Sequence, residues 1–530
     1  MPVGKVNADA VVSNQVHGNN AEIFGHGRRI EDAFASGLGL AVGAGALDAQ
    51  RARWPHVFVA VLFPYKPNLA FPEADDFEWD GHAERIPRCL RSTGVDLGAG
   101  IRQVGWPRMP PRQRRSLSMP RAGGKVHRGG LATTSDVLAR ALTAAQTDRE
   151  TAETLTHPFH SYPARLHPAT ARVLVEFIAE GAQRDQPIVD PFCGSGTVLV
   201  EARAAGMAAV GSDLSPLAVL IARAKTWTAP PRRRAALRDA GHAIAGAALA
   251  AGKAARRAAS PDTPHRRPVG VDPNARDRRL ARWFAPHVRR ELEDLTARID
   301  ELRQRDAELA DVLLACVSSL LYKVSSRTSD TDPTWVARTI GRGFVTRLFT
   351  QRVDGLVAGL ADLSRAHATP PKVYESDIRK LGEVIANASA AGVITSPPYA
   401  GTYDYAEHQR LRLDFFGLRH RDFDSRELGS RRSFSEDSHA AHGKWQKAVA
   451  GFVSRISNVL APGRAAALVI GDSIAGGRAM FALDDLRDAV TSDVALEAWA
   501  SQVRPKLGQA EHRAFGDRDK AEHIVVLRRL

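Results

Sequence analysis

Two stretches far apart in the chain hold residue types that could do chemistry. In the first, Ile188 to Ala202, an apolar run ends in Asp190, glycines follow at Gly194 and Gly196, and Val198, Leu199 and Ala202 take up helical spacing. That order predicts strand, tight turn and helix. Lacking Cβ atoms, the two glycines allow positive φ and close approach of a ligand, and the helix start beyond offers free N–H donors. The turn therefore suits a nucleotide-like ligand. A second carboxylate, Asp213, ends the run Ala208-Ala-Val-Gly-Ser, 23 residues after Asp190, an interval that fits strand, helix and parallel strand. At such a tip a carboxylate accepts two hydrogen bonds from a ribose diol. Capping of the next helix, which Ser215-Pro216 opens, is the competing role for Asp213.

The second stretch is Gly392-Val-Ile-Thr-Ser-Pro-Pro-Tyr399, a buried strand running into a loop that Pro397 and Pro398 stiffen. A dinucleotide fold would want a third glycine where Leu199 stands, and no Gly-x-x-x-x-Gly-Lys-Ser/Thr phosphate loop occurs. Instead, Asp190-Pro-Phe-Cys-Gly-Ser-Gly-Thr197 resembles the first motif, and Ser396-Pro-Pro-Tyr399 the fourth, of S-adenosylmethionine-dependent methyltransferases acting on amino groups of nucleic-acid bases. The resemblance covers about residues 155–229 and 371–530. It implies an α/β fold, a Rossmann-like methyltransferase sheet with an inserted helical domain, and S-adenosyl-L-methionine as cofactor. Asp190, Pro191, Phe192, Gly194, Ser195, Gly196 and Thr197 would hold that cofactor, with Asp213 and Leu214 at its ribose. Asp377, flanked by Ile378, would meet its adenine, and Tyr162, Pro163 and Arg165 its methionine end. Capping or packing is an equal reading for Tyr162 and Arg165.

The resemblance makes Ser396, Pro397, Pro398 and Tyr399 the catalytic set. An exocyclic amine is a poor nucleophile, and its base must leave the helical stack to react. The Ser396 hydroxyl and Pro397 carbonyl would accept its N–H hydrogens while Tyr399 stacks on the extruded base. No covalent adduct is needed, so no Pro-Cys pair is expected. Ser-Pro-Pro-Tyr is commonest among DNA enzymes acting on N4 of cytosine, Asp-Pro-Pro-Tyr among N6-adenine and guanine-N2 enzymes. Site-specific DNA methylation of the restriction-modification kind is thus implied, cytosine N4 ahead of adenine N6. RNA base methylation, and a nucleic-acid-binding protein with a vestigial cofactor pocket, stay open. No compact acidic cluster suggests a metal-dependent nuclease, and no metal is expected.

Composition agrees with a polyanionic partner. The 530 residues carry a net charge of +14, with a pI near 10.0, which favours DNA, or RNA, as partner. Three cysteines, Cys89, Cys193 and Cys316, form no Cys-x-x-Cys pair. No signal peptide is recognised and no apolar run approaches the ~18 residues of a membrane span, so a cytoplasmic protein without membrane contact is expected. The oligomeric state cannot be read from the sequence.

Four regions are expected. Residues 1–150 form a poorly defined N-terminal region, with one buried strand at Val57 to Phe63 and a basic linker from Trp106 to Arg115 that continues to Arg128. Residues 151–229 are the cofactor-binding half, and 371–530 the catalytic half, with a helix at Phe452 to Leu460, a buried strand at Ala465 to Asp472 and later strands at Leu496 to Val503 and His523 to Arg528. Residues 230–370 are a helical insertion expected to read the target. Its first part, to about Pro268, is expected to be flexible or loosely helical. Val288, Leu292, Leu295, Ile299 and Leu302 then form an apolar seam against a helix at Ala310 to Lys323. Trp335 is expected in the core, although Arg327 and Trp335 to Arg347 could offer cations and an aromatic ring to nucleic acid.

Overall fold

The computed structural model describes residues 38–43, 59–64, 123–148, 150–258, 275–329, 334–366, 368–402, 404–418, 426–429 and 438–530. The chain divides into two units, residues 1–109 and 110–530. In the first, β1 (Leu38–Gly43) and β2 (Val59–Pro64) pair as an antiparallel ribbon, and β2 is the strand expected near Val57. The linker from Trp106 to Arg121 lies outside the described residues.

The second unit is built on one sheet. In chain order its strands are β3 (Val126–Gly130), β4 (Ile188–Asp190), β5 (Ala209–Asp213), β6 (Lys372–Glu375), β7 (Gly392–Thr395) and β8 (Ala465–Gly471). After a short hairpin, β9 (Ser473–Ala475) and β10 (Arg478–Met480), come β11 (Val494–Arg504) and β12 (Lys520–Arg529). The sheet order is β3-β11-β12-β8-β7-β4-β5-β6. The strands from β6 to β8 are parallel, whereas β12 runs antiparallel to β8, and β11 to β12. This is a Rossmann-like α/β sheet, the fold class expected from the sequence. Strands β4, β7 and β8 are buried along their whole length, which is why they read as continuous apolar runs.

Helices α1 (Ala132–Thr147), α2 (Pro168–Ala179), α3 (Thr197–Ala204) and α4 (Pro216–Lys225) belong to this unit. Proline stands first in α2 and α4, and Ser215 Oγ accepts the Ala218 N–H at 3.3 Å to cap α4. Strand β3 pairs antiparallel with β11, and α1 buries Leu138, Ala141 and Leu142 in the same core as Leu174 and Ile524. Residues 126–147 are therefore part of the sheet unit, although the sequence reading places them in the N-terminal region. Val126-His-Arg-Gly-Gly130 has no apolar alternation because an edge strand needs little burial.

Between β5 and β6 lies the insertion, mainly helical in its described residues: α5 (Pro231–Ala258), α6 (Ala275–Trp283), α7 (Pro286–Arg303), α8 (Ala307–Leu320) and α9 (Phe344–Leu363), with an antiparallel bridge between Arg327 and Trp335 in the non-helical stretch before α9. Of the stretch expected to be flexible or loosely helical, the part to Ala258 is one 28-residue helix, α5, with Leu237, Ala245 and Ala248 buried. Alanine and arginine are strong helix formers, and burial of one face secures the helix. Residues 259–274 lie outside the described residues. The seam is as expected, with Val288, Leu292, Leu295 and Ile299 of α7 fully buried in one core with Leu313 and Val317 of α8. Trp335 corrects an expectation. It is 40 % exposed, because Trp283 fills the core and Trp335 lies over it, ring centroids 5.5 Å apart.

Candidate active site

In an open parallel sheet, ligands bind beyond the carboxyl ends of the strands where the order reverses. Here the reversal falls between β4 and β7, whose last residues are Asp190 and Thr395. Thr395 Oγ1 donates to Asp190 Oδ1 at 2.7 Å, and the Phe192 N–H donates to the same oxygen at 3.2 Å. A cleft of about 930 Å³, its outer part continuous with solvent, opens over these tips.

The glycine turn forms one wall. Gly194 and Gly196 have φ of +48° and +77°, the left-handed region that glycine adopts without cost. Pro191, Phe192, Gly194, Ser195 and Thr197 line the cleft with Asp190, and Gly196 does not: it backs onto Ala222 of α4. A Cβ on Gly194 would sit 3.4 Å from the Tyr162 ring. The Ser195 hydroxyl is buried in the cleft wall and has no hydrogen-bond partner among the described residues. Buried polar atoms are rarely left alone, so an orphan in a cleft wall fits a missing ligand.

Asp213 and Leu214 line the cleft from the end of β5. Asp213 Oδ2 accepts the Gly194 N–H at 2.9 Å and Oδ1 the Ser215 N–H at 2.8 Å. It thus clamps the glycine turn to the second strand, and each oxygen keeps acceptor capacity for a diol. Burial pushes Asp213 up to about 6 against those two bonds. Burial likewise pushes Asp190 up to about 7, against the bonds from Thr395 and Phe192. Burial raises the Cys193 thiol well above its usual range, which disfavours the thiolate.

Tyr162, Pro163 and Arg165 come from the segment before α2 and also line the cleft. Arg165 Nη1 donates to the His157 carbonyl at 2.8 Å, so its packing role is real as well. Asp377 and Ile378 close the side beneath β6. Burial alone would raise Asp377, but two bonds from the Arg379 side chain and one from its N–H hold the carboxyl below the usual range.

Of the second motif, Ser396 and Pro398 line the same cleft as Gly194 and Asp213, while Pro397 and Tyr399 lie outside its lining. The half-buried Tyr399 packs on Gly471 and donates its hydroxyl to Glu522 Oε1 at 2.9 Å. Arg504 pairs with the other oxygen of Glu522, fixing this anchor.

Some lining residues carried no role in the sequence reading. Tyr405, at the start of α10 (Tyr405–Phe416), lines the cleft with Arg426, Glu427 and Leu428, and Glu427 Oε1 accepts the Tyr405 N–H at 2.8 Å. No local signal marks Arg426 to Leu428. Gly211 was also missed. A Cβ there would lie 2.6 Å from Leu199 Cδ1 and 3.0 Å from Cys193 Cβ, so the close helix–strand contact is bought on the strand, where the sequence reading sought a glycine on the helix.

A second polar group, Ser501, His523 and Asp472, has the composition of a hydrolytic triad. Ser501 Oγ meets His523 Nδ1 at 2.7 Å and His523 Nε2 meets Asp472 Oδ1 at 3.0 Å. All three are buried, and Asp472 also accepts the N–H groups of Ala482 and Ala521, so the group clasps β8 to β12. Among the described residues no cluster of His, Cys, Asp and Glu could hold a metal ion, and no helix is long and apolar enough to cross a membrane.

Residues 158–235 match the family model described as UPF0020: RMKL-like, methyltransferase domain. The type II methyltransferase M.MvaI of Kocuria varians is 38% identical over 79 residues, 15% of this chain and 17% of that protein. The match thus spans less than a fifth of that relative's length. Two solved structures are distantly similar. TrmN from Thermus thermophilus has 12% identity and a TM-score of 0.25, over 68% of this chain and 49% of that one. The rRNA methyltransferase aviRa from Streptomyces viridochromogenes has 11% identity and a TM-score of 0.29, over 73% and 94%.

Proposed function

We propose that the protein is an S-adenosylmethionine-dependent methyltransferase acting on an exocyclic amino group of an extruded DNA base, N4 of cytosine ahead of N6 of adenine. The observation that carries this reading is that the glycine turn, Asp213 and Ser396 face one cleft, and that Thr395 ties the two motifs together. The match of residues 158–235 to a methyltransferase domain supports the same reading.

The residues present fit the cofactor. Its ribose diol would meet Asp213, its adenine Asp377 and Ile378, and its methionine end Tyr162, Pro163 and the turn from Asp190 to Thr197. Ser195 Oγ is a further donor or acceptor awaiting a partner. When bound, S-adenosylmethionine supplies a methyl group on a positively charged sulfur. The chain's own residues orient the amine: Ser396 Oγ accepts one of its N–H hydrogens, which helps aim the nitrogen lone pair, and Pro397, outside the cleft lining, acts through the shape of the loop. Pro397 and Pro398 hold that loop stiff, so little ordering cost falls on base binding. Tyr399, fixed by Glu522, offers an aromatic surface beside the loop for the extruded base. A proton leaving the methylated nitrogen passes to solvent at the open side of the cleft.

The test is to digest DNA and RNA from cells with and without the gene to nucleosides and look for methylated bases by mass spectrometry. N4-methylcytosine in DNA bears the reading out, whereas methylated nucleosides confined to RNA replace it with RNA methylation. Calorimetry with S-adenosylhomocysteine separates the remaining alternative, since absence of heat with the unaltered protein favours a nucleic-acid-binding protein with a vestigial pocket.

A further inference from the structure

The helical insertion carries a cluster of cations and aromatic rings that the cleft does not use. Trp335 is exposed, the Arg282 guanidinium lies 4.5 Å from its ring centroid, and Arg327 sits between Trp335 at 5.4 Å and Trp283 at 4.8 Å. Arg338 joins them, donating to the Arg327 and Lys323 carbonyls at 3.0 and 2.9 Å while staying exposed. Three arginines of α7 are instead neutralised: Arg289 pairs with Asp277 and Glu293, Arg298 with Asp294, Arg303 with Asp311. Among the described residues, none of Arg282, Arg327 and Arg338 has a carboxylate partner, and Thr334 to Arg347 holds three arginines and no acid.

Stacking on an indole restrains the Arg282 guanidinium without consuming its N–H fork, which suits a phosphate oxygen pair, while Arg338, held by backbone carbonyls, adds an exposed positive charge beside it. The cluster is also tied to the cleft. Trp283 packs edge-on against Tyr322, centroids 6.1 Å apart, and the Tyr322 hydroxyl donates to the His408 carbonyl at 2.6 Å. His408 lies in the first turn of α10, the helix whose Tyr405 lines the cleft. Arg412 stacks on Tyr322 and donates to Ser161, beside Tyr162 of the cleft wall.

We propose that Arg282, Trp335 and Arg338 form a phosphate-binding surface that holds the backbone of a polynucleotide, flanking the base presented to the cleft. The site itself stands on exposed cations that no carboxylate neutralises. Its placement beside a reacting base rests on the methyltransferase reading above.

The test measures binding of labelled oligonucleotides of one sequence, as single- and double-stranded DNA and RNA, across a salt series. Arg282→Gln is expected to lower the slope of log affinity against log salt by about 1 and weaken binding about fivefold near physiological salt. Arg282→Gln with Arg338→Gln should lower the slope by about 2 and the affinity about 30-fold. Trp335→Ala, which frees the Arg282 fork, should resemble Arg282→Gln in affinity while keeping more of the slope. Melting curves on each variant confirm folding, and Arg282→Gln alone suffices where the double variant does not fold. An unchanged slope in folded Arg282→Gln, or no polynucleotide binding by the unaltered protein, overturns the proposal. Calorimetry with S-adenosylhomocysteine on the same samples keeps the two ideas apart. Heat without a slope change sinks the surface alone, and a slope change without heat sinks the methyltransferase reading alone.

Discussion

Thr395 Oγ1 and Asp190 Oδ1, 205 positions apart in sequence, meet at 2.7 Å at the point where the strand order reverses. The bond is buried, and it aligns the tip of β4 with the start of the Ser-Pro-Pro-Tyr loop. Thr395→Val keeps the shape and removes the donor. Melting experiments should show a loss of about 1 to 3 kcal/mol, since a buried carboxyl is left with one fewer partner. Thr395→Ser should restore most of it. A valine variant as stable as the parent would mean that the two tips are held by packing alone.

Asp213 is expected to make cofactor binding depend on pH. Burial raises it to about 6, and its protonation below that value removes an acceptor that a ribose diol uses. Calorimetry with S-adenosylhomocysteine should show affinity falling as pH drops through about 6. Asp213→Asn should bind weakly at every pH and lose that dependence.

Ser396→Ala should slow methyl transfer roughly 100-fold and leave S-adenosylhomocysteine affinity unchanged, because Ser396 would contact the amine and not the cofactor. Single-turnover rates on an oligonucleotide substrate check this. A rise in the cofactor Kd with an unchanged rate would reassign Ser396 to the donor side of the cleft.

Lys225, at the end of α4, is fully buried, and its ammonium nitrogen has no hydrogen-bond partner among the described residues. Burial, together with the charge of Arg165, lowers it from 10.5 to about 7, against the attraction of Glu201. A depressed folded value contributes stability that is full above about 10.5 and is lost as pH falls through about 7. The unaltered protein should therefore melt at higher temperature as pH rises across that window. Lys225→Met should melt several degrees higher at pH 7 and show a flatter profile. A profile equally steep in the methionine variant would assign the dependence to another group.

Gly211→Ala places a methyl group 2.6 Å from Leu199 Cδ1. Overpacking of about 1 to 3 kcal/mol is expected, read by denaturant melts. Displacement of α3 should also weaken S-adenosylhomocysteine binding. Leu199→Ala in the same chain should recover part of both by opening room for the methyl.

The parts of the fold that depend on short-range chemistry were readable in advance. Asp190 to Thr197 needs glycines to turn, Ser215-Pro216 caps its own helix, and Ala465 to Gly471 is apolar because both faces are covered. Residues whose role depends on distant partners were not. Trp335 looks like a core residue until Trp283 is seen to occupy the core, and Arg426 to Leu428 reach the cleft only through tertiary packing. Val126 to Gly130 shows no strand pattern because β11 alone supports it on one edge. For Pro231 to Ala258 an alanine- and arginine-rich composition fits a solvated tether as well as a helix, and burial of Leu237 decides.

Among the described residues strand β6 ends the sheet, bonded to β5 alone, and the chain reaches it after the excursion through α5 to α9. During synthesis β5 must therefore wait with an open edge while residues 214 to 371 emerge. Pairing across so long a loop is slow, which leaves this edge, like the β4 edge that waits for β7, prone to mispairing in a nascent or truncated chain. A fragment stopping before Lys372 would have the glycine turn and Asp213 yet expose a sticky strand edge where β6 and the cleft wall at Asp377 belong.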